Sequence, residues 1–138
     1  MIRYARKEDA PRILQLIKDL AEYEKAPLEA KATLEQIEQS IFSDNPVAYC
    51  HVAEDDGLVV GISIWFLNYS TWVGKPGIYL EDLYVDPAYR GKGYGLAFLK
   101  ELGIQIAVND RVEPSDGGAE DQVHQTVPAR LNLALGSW

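Results

Sequence analysis

The stretch from Ile78 to Val108, IYLEDLYVDPAYRGKGYGLAFLKELGIQIAV, constrains the fold of this 138-residue chain more than any other. Ile78, Leu80 and the run Leu83, Tyr84, Val85 suit a buried strand, and Asp86-Pro87 stops it, because proline cannot donate to a ladder. Arg90-Gly91-Lys92-Gly93-Tyr94-Gly95 follows, with glycines at alternate positions directly before a helical pattern. Glycine lets the backbone turn several N–H groups outward at a helix N-terminus, where the helix dipole also favours negative charge. The segment therefore predicts strand, turn, anion-binding loop and helix, end to end.

Upstream, Ile2 to Arg6 alternates as a strand, and a helix starts near Pro11 with Ile13, Leu16, Ile17, Leu20 and Ala21 on its buried face. It is expected to end at Glu24 to Ala26, before Pro27. Thr33-Leu34-Glu35-Gln36 fits a capping box for a second helix reaching Phe42, with Leu34, Ile37 and Ile41 as its stripe. Val47 to Glu54 and Leu58 to Tyr69 read as antiparallel strands around Asp55-Asp56-Gly57, a central pair, and Ser70 to Gly77 reads as a loop. The order β-α-α-β-β-β-α predicts an α+β fold.

Length predicts one domain, and 47% apolar content supports a modest core. No apolar run approaches the roughly 20 residues that span a bilayer. The N-terminus lacks the apolar region of a signal peptide, so a soluble, cytoplasmic protein is expected. Cys50 is the only cysteine and His51 and His124 the only histidines, so neither disulfide nor metal centre is expected. A net charge of −8 argues against nucleic acid as partner and is compatible with a cationic small molecule.

The loop fits neither the Walker spacing nor the dinucleotide fingerprint. What remains is Arg-x-x-Gly-x-Gly at Arg90, Gly93 and Gly95; on motif alone, a tight strand-to-helix turn stays an alternative to a ligand site. Preceded by Leu80-Glu81-Asp82-Leu83-Tyr84-Val85, this segment resembles motif A of the GNAT superfamily of N-acetyltransferases, which binds the pyrophosphate of acetyl-coenzyme A. With Leu-Ile-Lys-Asp-Leu-Ala-Glu-Tyr-Glu at 16 to 24, residues 2–108 resemble the diamine acetyltransferases of spermidine, spermine or thialysine.

The resemblance implies a GNAT-like mixed, mainly antiparallel sheet flanked by helices, acetyl-coenzyme A as cosubstrate, a small cationic amine as acceptor, and a homodimer. It places the phosphates on the backbone of Gly91, Lys92, Gly93, Tyr94 and Gly95. Arg90 and the Lys92 side chain are either phosphate partners or solvated cations. The pantetheine arm would run along Leu83, Tyr84 and Val85. Amine attack needs a deprotonated nucleophile, so a carboxylate at the mouth, directly or through water, would raise the fraction of free amine, and Glu81 is the candidate base. Glu81 and Asp82 should point to opposite faces of a strand, leaving Asp82 as a substrate contact or as a packing or dimer carboxylate. Tyr23, Glu24 and Trp72 match positions lining the amine site, with Trp72 alternatively a core aromatic. Ser70-Thr71-Trp72 resembles the thialysine-preferring branch.

From Asn109 the likeness ends. Residues 109–138 read as an atypical, partly disordered tail, and the last tyrosine is Tyr94, so the tyrosine that supplies the family's thiol proton has no counterpart after it. Impaired activity is one expectation and a catalytically inactive, coenzyme-binding or dimerising domain is the alternative. Arg130 to Leu135 alternates as a strand that could replace the family's next strand, within the chain or by exchange with a second copy.

Overall fold

The computed structural model describes residues 1–72 and 74–110, with 106–110 as backbone only. The expected order is present: β1 Ile2–Tyr4, α1 Ala10–Tyr23, α2 Leu34–Phe42, β2 Tyr49–Asp55, β3 Leu58–Ser70, β4 Lys75–Val85 and α3 Tyr94–Asp110. The strands form one sheet in the order β1-β2-β3-β4, with β2 and β3 central, and every pairing among the described residues is antiparallel. The strand expected at 130–135 and the rest of the tail lie outside the described residues.

Local chemistry accounts for the elements. Asp9 accepts the Arg6 N–H at 2.7 Å and the Arg3 guanidinium at 2.8 Å, fixing the start of α1 beside β1. Thr33 and Gln36 close the expected capping box of α2, each taking the other's N–H at 3.2 and 3.0 Å. At the end of α1, Lys25 adopts φ 59° and the Ala26 N–H reaches back to Ala21 C=O at 2.8 Å, which turns the chain sharply. Two turn residues of positive φ, Asp56 and Gly57, close the β2–β3 hairpin as the sequence predicts.

The sheet is packed on both faces. Ile13, Leu16 and Leu20 of α1 cover Cys50, Val52, Ile62, Ile64 and Tyr84, while Phe98 and Leu102 of α3 cover Ala53, Val60, Trp65, Leu80, Leu83 and Val85. Leu34 of the expected α2 stripe is instead exposed. Gly61 stands where both β4 and α3 crowd β3: a Cβ there would lie 3.1 Å from the Tyr84 carbonyl oxygen and 3.2 Å from the Phe98 ring. Gly61→Val is therefore expected to destabilise the fold by about 1–3 kcal/mol in urea unfolding, since neither neighbour can retreat freely.

Two departures from expectation affect the site. The segment read as a loop at 70–77 is shorter, because Lys75, Pro76 and Gly77 pair with Ser70, Tyr69 and Asn68. Pro76 is tolerated because β4 has a neighbour on one side only among the described residues. The second departure is a bulge: Asp82 pairs with Ile64 and Leu80 with Trp65, so Glu81 is the extra residue.

His51 is 1% exposed, and Trp65 Nε1–H donates to its Nδ1 at 3.2 Å. Burial holds its pKa below the ordinary value, against the opposing pull of Glu101, whose carboxylate is 4.0 Å from Nε2. The unfolded chain therefore takes up this proton at a higher pH than the folded one. Stability should be lost as pH falls below about 6.5, by at most about 1.4 kcal/mol per pH unit from this group. Urea midpoints at successive pH values should show that loss, and His51→Phe should flatten it.

Candidate active site

Two neighbouring cavities meet β4. The first, about 130 Å³, is bordered by Val85, Tyr89, Arg90, Gly91, Gly93, Tyr94 and Gly95. Gly91 and Gly93 sit at φ 82° and 83°, a region costly for side-chain-bearing residues, which is the local reason for glycine at both places. The first helical hydrogen bond of α3 runs from Ala97 N–H to Gly93 C=O at 3.0 Å, so the N–H groups of Tyr94, Gly95 and Leu96 precede the helical ladder. A concave backbone surface with N–H groups at a helix N-terminus fits a pyrophosphate.

The two cations of the loop behave differently from simple phosphate partners. Arg90 folds inward: its Nε–H donates to Val85 C=O at 2.9 Å, and its guanidinium lies 5.1 Å from the Tyr23 ring centre and 5.3 Å from that of Tyr84. It thereby joins the end of α1, the end of β4 and the loop. Lys92, the one residue from 89 to 95 that does not border the cavity, extends to Asp55 at 3.3 Å, over the Tyr89 ring. Tyr94 donates its hydroxyl to the same Asp55 oxygen at 2.6 Å, and that bond pushes the Tyr94 pKa up to about 12.

The second cavity, about 240 Å³, is bordered by Ile17, Leu20 and Ala21 of α1, by Glu24, Glu29 and Lys31 in the α1–α2 connection, and by Glu81 and Asp82. The expectation that Glu81 and Asp82 face opposite sides is corrected here. Leu80 and Leu83 both pack toward α3, and the bulge places Glu81 and Asp82 together on the α1 face with Tyr84. Both carboxylates thus border one cavity with Glu24. Tyr23 stands beside it under Arg90 but is not among its walls.

Trp72 is neither a wall of this cavity nor a core residue: it is 95% exposed. The reason is the longer hairpin. Beyond Trp65 the β3 strand pairs with β4 alone, so Ser70 and Lys75 end a two-stranded ribbon past the reach of β2, with Trp72 in its turn. The backbone of Leu83, Tyr84 and Val85 connects the cavities; from Asp82 to Val85 is about 10 Å along an extended strand. Sequence reading misses Asp55, at the end of β2, and Glu29 and Lys31, which lie in a polar connection without periodicity.

The model of the acetyltransferase (GNAT) family matches residues 2–112. The chain belongs to that family. Members of this GNAT family take their acetyl group from acetyl-coenzyme A. The GNAT chain is 39% identical over 116 residues to a thialysine N-epsilon-acetyltransferase of Mus musculus, covering 78% of this chain and 67% of the relative. It is 40% identical over 114 residues to the spermidine/spermine N(1)-acetyltransferase-like protein 1 of Homo sapiens, covering 78% of this chain and 16% of that protein. It spans 64% to 67% of the length of the mammalian thialysine relatives it matches. Among solved structures, a possible acetyltransferase from Clostridium difficile 630 shares the fold, with TM-score 0.66 at 22% identity, covering 91% of this chain and 87% of that one.

Proposed function

We propose that this GNAT domain transfers the acetyl group of acetyl-coenzyme A to a small primary amine, with a thialysine-like ω-amino acid as the first substrate class and a polyamine as the second. The observation that carries this is the bulge at Glu81, which gathers Glu24, Glu81 and Asp82 in one cavity beside the strand that leads to the glycine cradle. Clustered carboxylates favour a cationic ligand over a neutral one. Lys31 at the same cavity suits a substrate that carries a carboxylate of its own, which supports the amino-acid class over a chain of cations. The likeness to thialysine acetyltransferases points the same way.

In this reading the backbone of residues 91–95 holds the pyrophosphate and that of Leu83, Tyr84 and Val85 lines the arm bearing the thioester. An aliphatic ammonium has a pKa near 10.4, so little free amine exists at neutral pH. Glu81 accepts that proton, directly or through water, and leaves the nitrogen lone pair available for attack. Asp82 and Glu24 hold the substrate's cationic groups. A main-chain N–H of residues 83–85 donates to the oxygen on which charge develops. The leaving thiolate takes up a proton, which solvent can supply.

The alternative, an inactive coenzyme-binding domain, is favoured by the absence of tyrosine from residues 95–138. Thiol release measured with thialysine, ornithine and spermidine separates the two: release above background, greatest with an ω-amino acid, supports the enzyme, and coenzyme binding without release supports the alternative. A cytoplasmic homodimer belongs to the same reading, by resemblance and by the outer edge of β4, which has no neighbour among the described residues; a monomeric mass in light scattering would exclude the dimer.

A further inference from the structure

A glycine loop has few side chains with which to hold its own shape, and two of its residues, Gly91 and Gly93, have open space where a Cβ would be. Something outside the loop must restrict it if its N–H groups are to converge on one ligand. Asp55, at the end of β2, is in that position. Its Oδ2 accepts the Tyr94 hydroxyl at 2.6 Å and the Lys92 ammonium at 3.3 Å, and Lys92 lies 5.1 Å from the centre of the Tyr89 ring. Tyr89 and Tyr94 are walls of the cradle. One carboxylate therefore holds the Gly91–Gly93 turn at its middle residue, Lys92, and at Tyr94 directly after it, from a hairpin 37 and 39 residues away in sequence.

The hairpin itself is a firm support. Asp55 pairs with Leu58 across a two-residue turn whose residues both have positive φ, so the carboxylate stands on the tightest connection in the sheet. We propose that Asp55 is a positioning residue for acetyl-coenzyme A: through Tyr94 and Lys92 it fixes the direction of the N–H groups in the cradle before the pyrophosphate arrives. This role rests on the proposed binding of the pyrophosphate at residues 91–95. It leaves the amine cavity untouched, because Asp55 is not among its walls.

The test compares the unchanged full chain with Asp55→Ala, Asp55→Asn and Tyr94→Phe. Calorimetry gives Kd for coenzyme A, and thiol release gives KM for acetyl-coenzyme A, KM for the amine, and kcat. Asp55→Ala is expected to raise Kd and KM for the coenzyme by about fivefold to tenfold, the scale of one lost charge-assisted hydrogen bond. The amine KM should hold, and kcat at saturating coenzyme should change by less than about twofold on the same ground. Asp55→Asn keeps an acceptor for Tyr94 and should recover most of the affinity. Tyr94→Phe should lose affinity like Asp55→Ala, and the double variant should add little more.

Unaltered or tighter coenzyme binding in Asp55→Ala overturns the role; tighter binding would mean that Asp55 merely competes with phosphate for Lys92. If Asp55→Ala does not fold, Asp55→Asn and Tyr94→Phe decide: a loss of affinity in Tyr94→Phe with most of it kept in Asp55→Asn supports the role, and unaltered affinity in Tyr94→Phe overturns it. Failure of the unchanged chain to bind coenzyme A removes the cradle and this role with it. Binding that all variants preserve removes only the role of Asp55.

Discussion

Glu81→Gln is expected to lower kcat/KM for the amine by about a hundredfold or more, the usual scale for loss of a general base. Glutamine keeps the size and hydrogen-bonding capacity of the side chain but cannot accept a proton. The remaining rate then depends on amine that is already free, and that fraction rises about tenfold per pH unit below the amine pKa. The deficit should therefore be greatest at low pH and shrink toward pH 9 to 10 in a series of thiol-release rates. A deficit that is constant with pH would remove Glu81 from proton transfer. Coenzyme binding should be unchanged, because Glu81 borders the amine cavity and not the cradle.

Gly93→Val should abolish most coenzyme binding while leaving the sheet folded. A Cβ at this position meets nothing within 4 Å, so the effect is one of backbone conformation: φ is 83°, where a β-branched residue is strained by about 1–3 kcal/mol. The loop would relieve that strain by turning its N–H groups out of alignment. A loss of coenzyme affinity of about tenfold or more is expected in calorimetry, from the same strain. Gly93→Asn is the control, since asparagine tolerates left-handed backbone better, and it should retain more affinity than valine. Equal affinity in the valine variant would mean that the backbone at Gly93 does not form the cradle.

Much of this architecture could be read before the structure. The stretch from Ile78 to the helix declared itself because three signals agree: an apolar run, a proline stop and alternate glycines. The capping box at Thr33 and the turn at Asp56-Gly57 were legible for a similar reason, since each is fixed by chemistry within four residues. The bulge was not legible. Period-two alternation puts Glu81 and Asp82 on opposite faces, and only the partner strand, pairing Ile64 with Asp82 and Trp65 with Leu80, inserts the extra residue that brings them together.

The same limit explains Trp72, Lys92 and Asp55. A tryptophan after Ser70-Thr71 reads as an amine-site residue or a core aromatic until the length of the β3–β4 ribbon is known, and the ribbon length depends on long-range register. Lys92 reads as a phosphate partner or a solvated cation because it stands in the loop, and its 3.3 Å approach to a carboxylate of a distant hairpin is not legible from sequence. The glycine loop and the carboxylates thus stand out by residue type. Their mutual placement required the register of four strands.

The most direct measurement is mass spectrometry of an ω-amino acid such as thialysine after incubation with acetyl-coenzyme A and the full chain. The account predicts one added acetyl group on the ω-nitrogen, formed in proportion to thiol released and lost in Glu81→Gln at neutral pH. Coenzyme that binds the chain while thialysine, ornithine and spermidine all remain unmodified would contradict it.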